Sequence, residues 1–240
     1  MGRAHPIRYR DAVSKKPPLI AVVDAKGRTL WMQPISGALD VPIPSPDLNH
    51  VAYLRRTKTR LMLHVLDKTG KIRETASVPF PASLPLPSEF DYSLAWSPDG
   101  TKLAFSWSQQ IRIHDLLTGD TQILGKGTEP GWSPNGRYFS FKAKGRLVIL
   151  DRGQEVFRTL RQVGRGPSIV WSPQGDHLVY SEISEDRNSG TGLRGDITVL
   201  QPAGGAKTVL WTNNGLRIRG LGWITNWHDL AATLPRTNSN

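Results

Sequence analysis

The chain contains no cysteine, which excludes a disulfide framework, a thiolate nucleophile and any cysteine-ligated metal. It has no uninterrupted apolar run of the ~20 residues that a membrane-crossing helix needs. The opening stretch MGRAHPIRYR is basic but lacks the apolar core of a secretory leader, so the compartment stays open: cytoplasmic for the chain as written, periplasmic if a leader has been trimmed from it. Histidines are few, and His5, His50, His64, His114, His177 and His228 are scattered without the spacing of a metal-ligand set. His64 and His114 fall in strand-like runs and read as packed or edge side chains. The short GKG at 125–127 and GRG at 164–166 lack the strand–loop–helix setting of a phosphate cradle. There is no Gly-x-Ser-x-Gly elbow. No catalytic residue, no metal site and no cofactor is assigned.

Acidic residues are also scarce. Twenty Asp and Glu stand against 31 Lys and Arg, a formal charge of +11 at neutral pH. Such an excess favours an anionic partner: nucleic acid, an acidic lipid headgroup or an acidic protein surface.

What the chain has in quantity is one repeated phrase. LAWSPDGTKLAFS, PGWSPNGRYFSFK and IVWSPQGDHLVYS share an aromatic residue, a tight polar turn and a buried strand. They align on Trp96, Trp132 and Trp171. Downstream, GLGWITNWHDLAATLP keeps the pattern around Trp223; upstream, VPIPSPDLNHVAYL keeps Ser-Pro-Asp with Pro44 in place of the tryptophan. In each copy a β-rich strand follows the turn. Then comes a second apolar strand ending in an acid, as in LHVLD, IRIHD and LVILD, or in an amide, as in ITVLQ. A glycine-bearing turn leads to a fourth, shorter strand. Four strands joined by tight turns make one antiparallel sheet, and such sheets bury their faces by stacking around an axis.

Pro followed by Asp-Gly or Asn-Gly forces a tight reversal, and the Ser hydroxyl can hydrogen-bond across it. The tryptophans fill the wedge between neighbouring sheets. The repeat therefore builds architecture.

The phrases WSPDG, WSPNG and WSPQG, each followed by an apolar strand and then a strand ending in Asp or Gln, resemble the WD40-like (PD40) repeat of TolB-type β-propellers. The Gly-His pair and the terminal Trp-Asp dipeptide of true WD40 repeats are missing. The resemblance implies an all-β fold, and with no catalytic motif in the chain the expectation is a protein that works without catalysis. The N-terminal stretch LIAVVDAKGRTLWM reads as a third and fourth strand, and the chain after Gly220 as a first and second. The expectation is a five-bladed propeller of four-stranded antiparallel blades, closed by N-terminal strands pairing with the C-terminal blade. Such a ring leaves no open edge, so self-association is not required. Residues 1–18 form a basic N-terminal arm, 19–235 a single propeller domain, and 236–240 a tail. VPFPASLPLPSEFDYS (78–93) is a Pro-rich link between blades, and the loop at 184–196 is polar and glycine-rich.

In a propeller, the turns joining strands one and two, and three and four, share one face; the remaining connections lie on the other. Sorted this way, the first set of turns is nearly neutral. The second carries Arg55, Arg56, Lys58, Arg60, Lys142, Lys144, Arg146, Arg161, Arg165, Arg217 and Arg219, and these are the candidate partner-binding residues. None of the four clusters has a Phe or Tyr platform for stacking bases. The sequence supports an interaction platform that docks an acidic protein through this basic face. A nucleic-acid or anionic-polymer binder is one alternative, and a hydrolase or lyase using the central channel is another.

Overall fold

The computed structural model describes residues 6–9, 19–24, 26–35, 42–57, 59–79, 93–151, 153–159, 162–163, 169–185 and 193–214. Every element in them is a strand. The first sheet holds β1 (Pro6–Tyr9), β2 (Leu19–Val23) and β3 (Thr29–Pro34). The second holds β4 (Ile43–Pro44), β5 (His50–Arg56), β6 (Arg60–Asp67) and β7 (Ile72–Pro79). The third holds β8 (Ser93–Trp96), β9 (Lys102–Trp107), β10 (Gln110–Asp115) and β11 (Thr121–Lys126). The fourth holds β12 (Thr128–Trp132), β13 (Tyr138–Ala143), β14 (Arg146–Asp151) and β15 (Gln154–Arg158). In the fifth, β16 (Gln162–Val163) and β17 (Ile169–Trp171) both line one edge of β18 (Leu178–Glu185), followed by β19 (Leu193–Gln201) and β20 (Ala206–Asn214). All pairings are antiparallel between sequence neighbours or near neighbours.

The alternation of each strand explains how the sheets meet. On β5, Val51 and Tyr53 pack with Ile20, Val22 and Leu66 toward the first sheet. Ala52 and Leu54 point the other way, toward Leu103, Phe105 and Trp107 of the third. Ala104 and Ile111 then meet Phe139, Phe141 and Val148 of the fourth sheet. Tyr138, Leu147 and Ile149 meet Trp171, Leu178, Tyr180 and Leu200 of the fifth. Each internal sheet is thus apolar on both faces and sandwiched.

The repeated tryptophans sit in these wedges. Trp96 Nε1 donates to Ile43 O at 3.1 Å, and Trp171 Nε1 to Ser140 Oγ at 3.0 Å. The Trp171 ring also stacks on Tyr138, with centroids 5.7 Å apart. Trp132 meets Phe139 edge-on at 4.7 Å. Trp223 lies outside the described residues.

The turn after each tryptophan is a shared hydrogen-bond unit. Ser97 Oγ donates to Asp99 Oδ1 and accepts the Lys102 amide, while the Gly100 amide closes on Ser97 O. Ser133 repeats this with Asn135, Tyr138 and Gly136. The glycines occupy left-handed backbone, φ +72° at both Gly100 and Gly136, which glycine enters without a Cβ penalty. In the second sheet the same position is Leu48 at φ +62°, and its carbonyl accepts Trp31 Nε1.

Two features differ from the sequence reading. Pro6–Tyr9, assigned to an arm, pairs along β2 from Pro6↔Val22 to Tyr9↔Leu19. It takes the β2 edge that the closure scheme gave to the C-terminal strands. An antiparallel partner close in sequence reaches that edge with less loop-closure entropy than a distant one. Residues 215–240 lie outside the described residues. Among those described, no strand joins the first sheet to the fifth.

The Trp171→Ala variant should lose about 3–5 kcal/mol of unfolding free energy in a urea titration, the cost of emptying a buried aromatic site. A loss below about 1 kcal/mol would show that Trp171 does not hold the fourth and fifth sheets together.

Candidate docking face

Hydrogen bonds between loops fix which connections share a face. Within the third sheet, the Leu116 amide donates to Thr101 O, joining the turn after β10 to the turn after β8. Across sheets, a Cβ at Gly175 would lie 2.7 Å from Asn135 Cγ, so the turns after β12 and β17 touch. On the opposite side, the Gly127 amide donates to Gln109 O and the Val163 amide to Gly145 O. There, links between sheets meet the hairpins that join second to third strands. The molecule has a turn face and a link face.

Four carboxylates on the turn face are consumed by local geometry. Asp24 Oδ1 accepts the Lys26 and Arg28 amides, Asp67 Oδ1 those of Thr69 and Lys71, and Asp115 Oδ1 those of Leu117 and Thr118. Asp115 also pairs with Lys102, and Asp151 with Arg137 at 2.8 Å. The Lys102 hydrogen bond, aided by the two backbone amides, holds the Asp115 carboxyl at about 2. The Ser97 hydroxyl and Thr101 amide lower that of Asp99. A cleft of about 340 Å³ opens on this face between Arg137, Tyr138, Asp151 and the 202–205 turn; its two charged groups are bound to each other.

The link face has the opposite character. Arg60, Lys144 and Arg146 are exposed and Arg55 is half-buried. Among the described residues none of the four has a carboxylate partner; Arg60 Nε rests on Ser77 Oγ. Lys144 sits at φ +51° in its hairpin. Lys142, one of the candidate partner-binding residues, is withdrawn from the face. Its side chain is 5 % exposed, and its ammonium lies 2.7 Å from Glu129. Burial pushes the Lys142 ammonium down and the Glu129 carboxyl up, each partly offset by the other. The β-strand period explains the error: Lys142 lies within β13 on an inward-facing position, while Lys144 stands in the turn. The Arg56 side chain and residues Lys58, Arg161, Arg165, Arg217 and Arg219 lie outside the described residues.

Two link-face cations escaped the sequence reading. Lys126 is exposed at the end of β11, opposite Gln110. Arg112, inside IRIHD, is 9 % exposed; one charge in an otherwise apolar strand gives no signal of its own. The two strand histidines are packed: His64 stacks on Tyr53 with centroids 5.2 Å apart, and His114 Nδ1 bonds Thr121 Oγ1 at 2.8 Å. Among the described residues, no three His, Cys, Asp or Glu side chains converge as metal ligands would.

No family model matches the sequence, and no curated protein sequence matches it. Solved structures do. TolB from Acinetobacter baumannii superposes with a TM-score of 0.59 at 18 % identity over 84 % of this chain. The chain spans 50 % of that protein. A putative TolB from Agrobacterium tumefaciens gives a TM-score of 0.52 at 18 % identity, covering 83 % of this chain and 76 % of the other. An oligogalacturonate lyase in complex with manganese gives 0.55 at 13 % identity, covering 88 % and 74 %. The fold is that of a TolB-like β-propeller.

Carboxylates held below the ordinary aspartate value of 3.8 stabilise the fold fully above that pH, and the contribution drains away as pH falls toward about 2. Thermal unfolding of the wild type should therefore drop steeply below about pH 4, and Asp115→Asn should flatten that drop. Parallel curves for the two proteins would remove Asp115 from the turn-face electrostatics.

Proposed function

We propose that this chain is a non-catalytic interaction platform whose link face docks an acidic protein within a larger assembly. One observation carries the reading: Asp24, Asp67, Asp115 and Asp151 of the turn face are committed to turn amides or to local cations, while Arg55, Arg60, Lys144 and Arg146 on the other face have no counter-charge among the described residues. A field of one sign on one face steers an oppositely charged partner and fixes its orientation. The propeller fold suits this role, because it presents loops from several sheets on a rigid frame. Arg161, Arg165, Arg217 and Arg219 extend the same surface in this reading.

The ring itself belongs to the proposal. Met32 on the first sheet and Trp211 on the fifth are 52 % and 42 % exposed, on faces turned away from the neighbouring sheets. In a five-bladed ring these faces meet, and the segment at 220–235 adds to the first sheet at the free edge of β1. Stacked sheets lie about 10 Å apart. Spin labels at Met32→Cys and Trp211→Cys, in a chain with no native cysteine, should thus report a separation near one sheet spacing. A separation of about 40 Å, four such spacings, would mean an open arc.

Docking is tested by anisotropy titrations with a Glu-rich peptide and with single- and double-stranded oligonucleotides at rising salt. The joint variant Arg60→Glu, Lys144→Glu, Arg146→Glu should weaken the peptide about tenfold or more. Lys68→Glu with Lys71→Glu on the turn face should leave it nearly unchanged. Tighter oligonucleotide binding with a steep salt slope would replace the acidic protein by a nucleic acid.

A further inference from the structure

Third strands of the sheets present one equivalent position to the preceding sheet, three residues before the terminal Asp or Gln. It holds His64, Arg112, Val148 and Thr198, all buried. Of these four, only Arg112 carries a permanent charge. It stands opposite Phe105, whose ring packs with Leu54, Leu61 and Leu63 of the second sheet. Its guanidinium turns back toward the β9–β10 hairpin, at the link face. Nη1 donates to Trp107 O at 3.1 Å and Nη2 to Gln110 Oε1 at 2.6 Å.

Two neutral acceptors satisfy part of the five-donor fork and none of its charge. Among the described residues no carboxylate pairs with Arg112, and burial alone pushes its guanidinium down with no counter-charge to offset it. Nε, which makes no hydrogen bond to a described residue, is not among the buried polar atoms left without a partner, so this edge of the guanidinium reaches the surface. An uncompensated charge in a wedge costs stability, and the equivalent positions show that an uncharged side chain fills the place. The remaining donors match a carboxylate fork to fork, in a site whose dry walls strengthen the pair.

The frame around it is stiff. Ser108 and Gln109 form the hairpin at φ +50° and +58°, left-handed backbone for two non-glycine residues. Gln109 O is held by the Gly127 amide at 2.7 Å. A Cβ at Gly127 would lie 2.7 Å from both Lys142 O and the Phe141 ring, so the link that carries it sits close against the fourth sheet.

We propose that Arg112 is the anchoring residue of the docking face, a half-dry guanidinium socket between the second and third sheets that takes an Asp or Glu side chain of the partner. The inference rests on the docking reading above and names the residue where binding energy concentrates, as buried arginines do at interfaces. Arg60 and Lys126 stand around it as exposed, weaker contacts.

Two measurements test it on the full chain. In ¹⁵N spectra of the arginine Nε–H groups, acetate should shift the Arg112 resonance saturably, at roughly tenfold lower concentration than those of Arg60 and Arg146. Binding of the Glu-rich peptide should weaken about tenfold in both Arg112→Lys and Arg112→Gln, since lysine keeps the charge but not the fork. If acetate moves Arg112 no more than the exposed arginines, the socket does not exist. If the peptide binds Arg112→Lys as it binds wild type, docking stands and the anchor falls. If acetate saturates Arg112 while the peptide binds nowhere, the socket stands and the acidic-protein reading falls. The acetate titration needs no variant, so a folding defect in either substitution leaves it decisive.

Discussion

Burial of both faces of every internal sheet is the constraint on which the rest of the molecule depends. A four-stranded sheet with apolar side chains up and down cannot stand alone in water, and each one here is completed by its neighbours. The wedge between two such sheets must be filled to crystal-like density, and Trp96, Trp132 and Trp171 do this, the ring nitrogens of Trp96 and Trp171 reaching Ile43 O and Ser140 Oγ. Once the sheets are locked face to face, the hairpins have no freedom to choose sides. Alternate connections must lie at opposite ends of the stack.

The charge pattern follows from that locking. The acids that close the third strands sit where their oxygens collect the amides of the next turn, and they draw Lys102 and Arg137 to themselves. Their placement serves the backbone first. The consequence is electrostatic: Asp24, Asp67, Asp115 and Asp151 are bound up on one face, while Arg60, Lys144 and Arg146 are exposed on the other with no carboxylate partner among the described residues. A surface of this kind needs no cleft to be selective, because orientation is set by the field.

Lys142 and Arg112 show how differently a wedge can treat a cation. Lys142 is compensated by Glu129, whose backbone lies at φ +54° beside a break in strand register, so the lysine is spent inside the protein. Arg112 is also buried, and among the described residues it meets only a carbonyl and an amide oxygen. The first is a structural ion pair. The second has no carboxylate partner among the described residues, and the proposed anchoring role builds on that.

The sequence by itself determined the strands, the turns and the order of sheets. These depend on local chemistry: alternation of apolar residues, Ser-Pro-Asp-Gly reversals, and acids that cap the turn they precede. It also led to the expectation that positive charge gathers in one class of connection, since hairpin connectivity assigns sidedness without reference to distance. It could not show that Lys142 turns inward to Glu129, because 13 residues separate the pair and only strand register brings them together. Arg112 was invisible for the same reason, its burial and its lack of a counter-charge being properties of two sheets meeting. The edge of β2 was likewise decided in three dimensions, where Pro6–Tyr9 competes for the same row of hydrogen bonds as more distant strands. Local sequence writes the sheets; contact between sheets decides which charges remain for a partner.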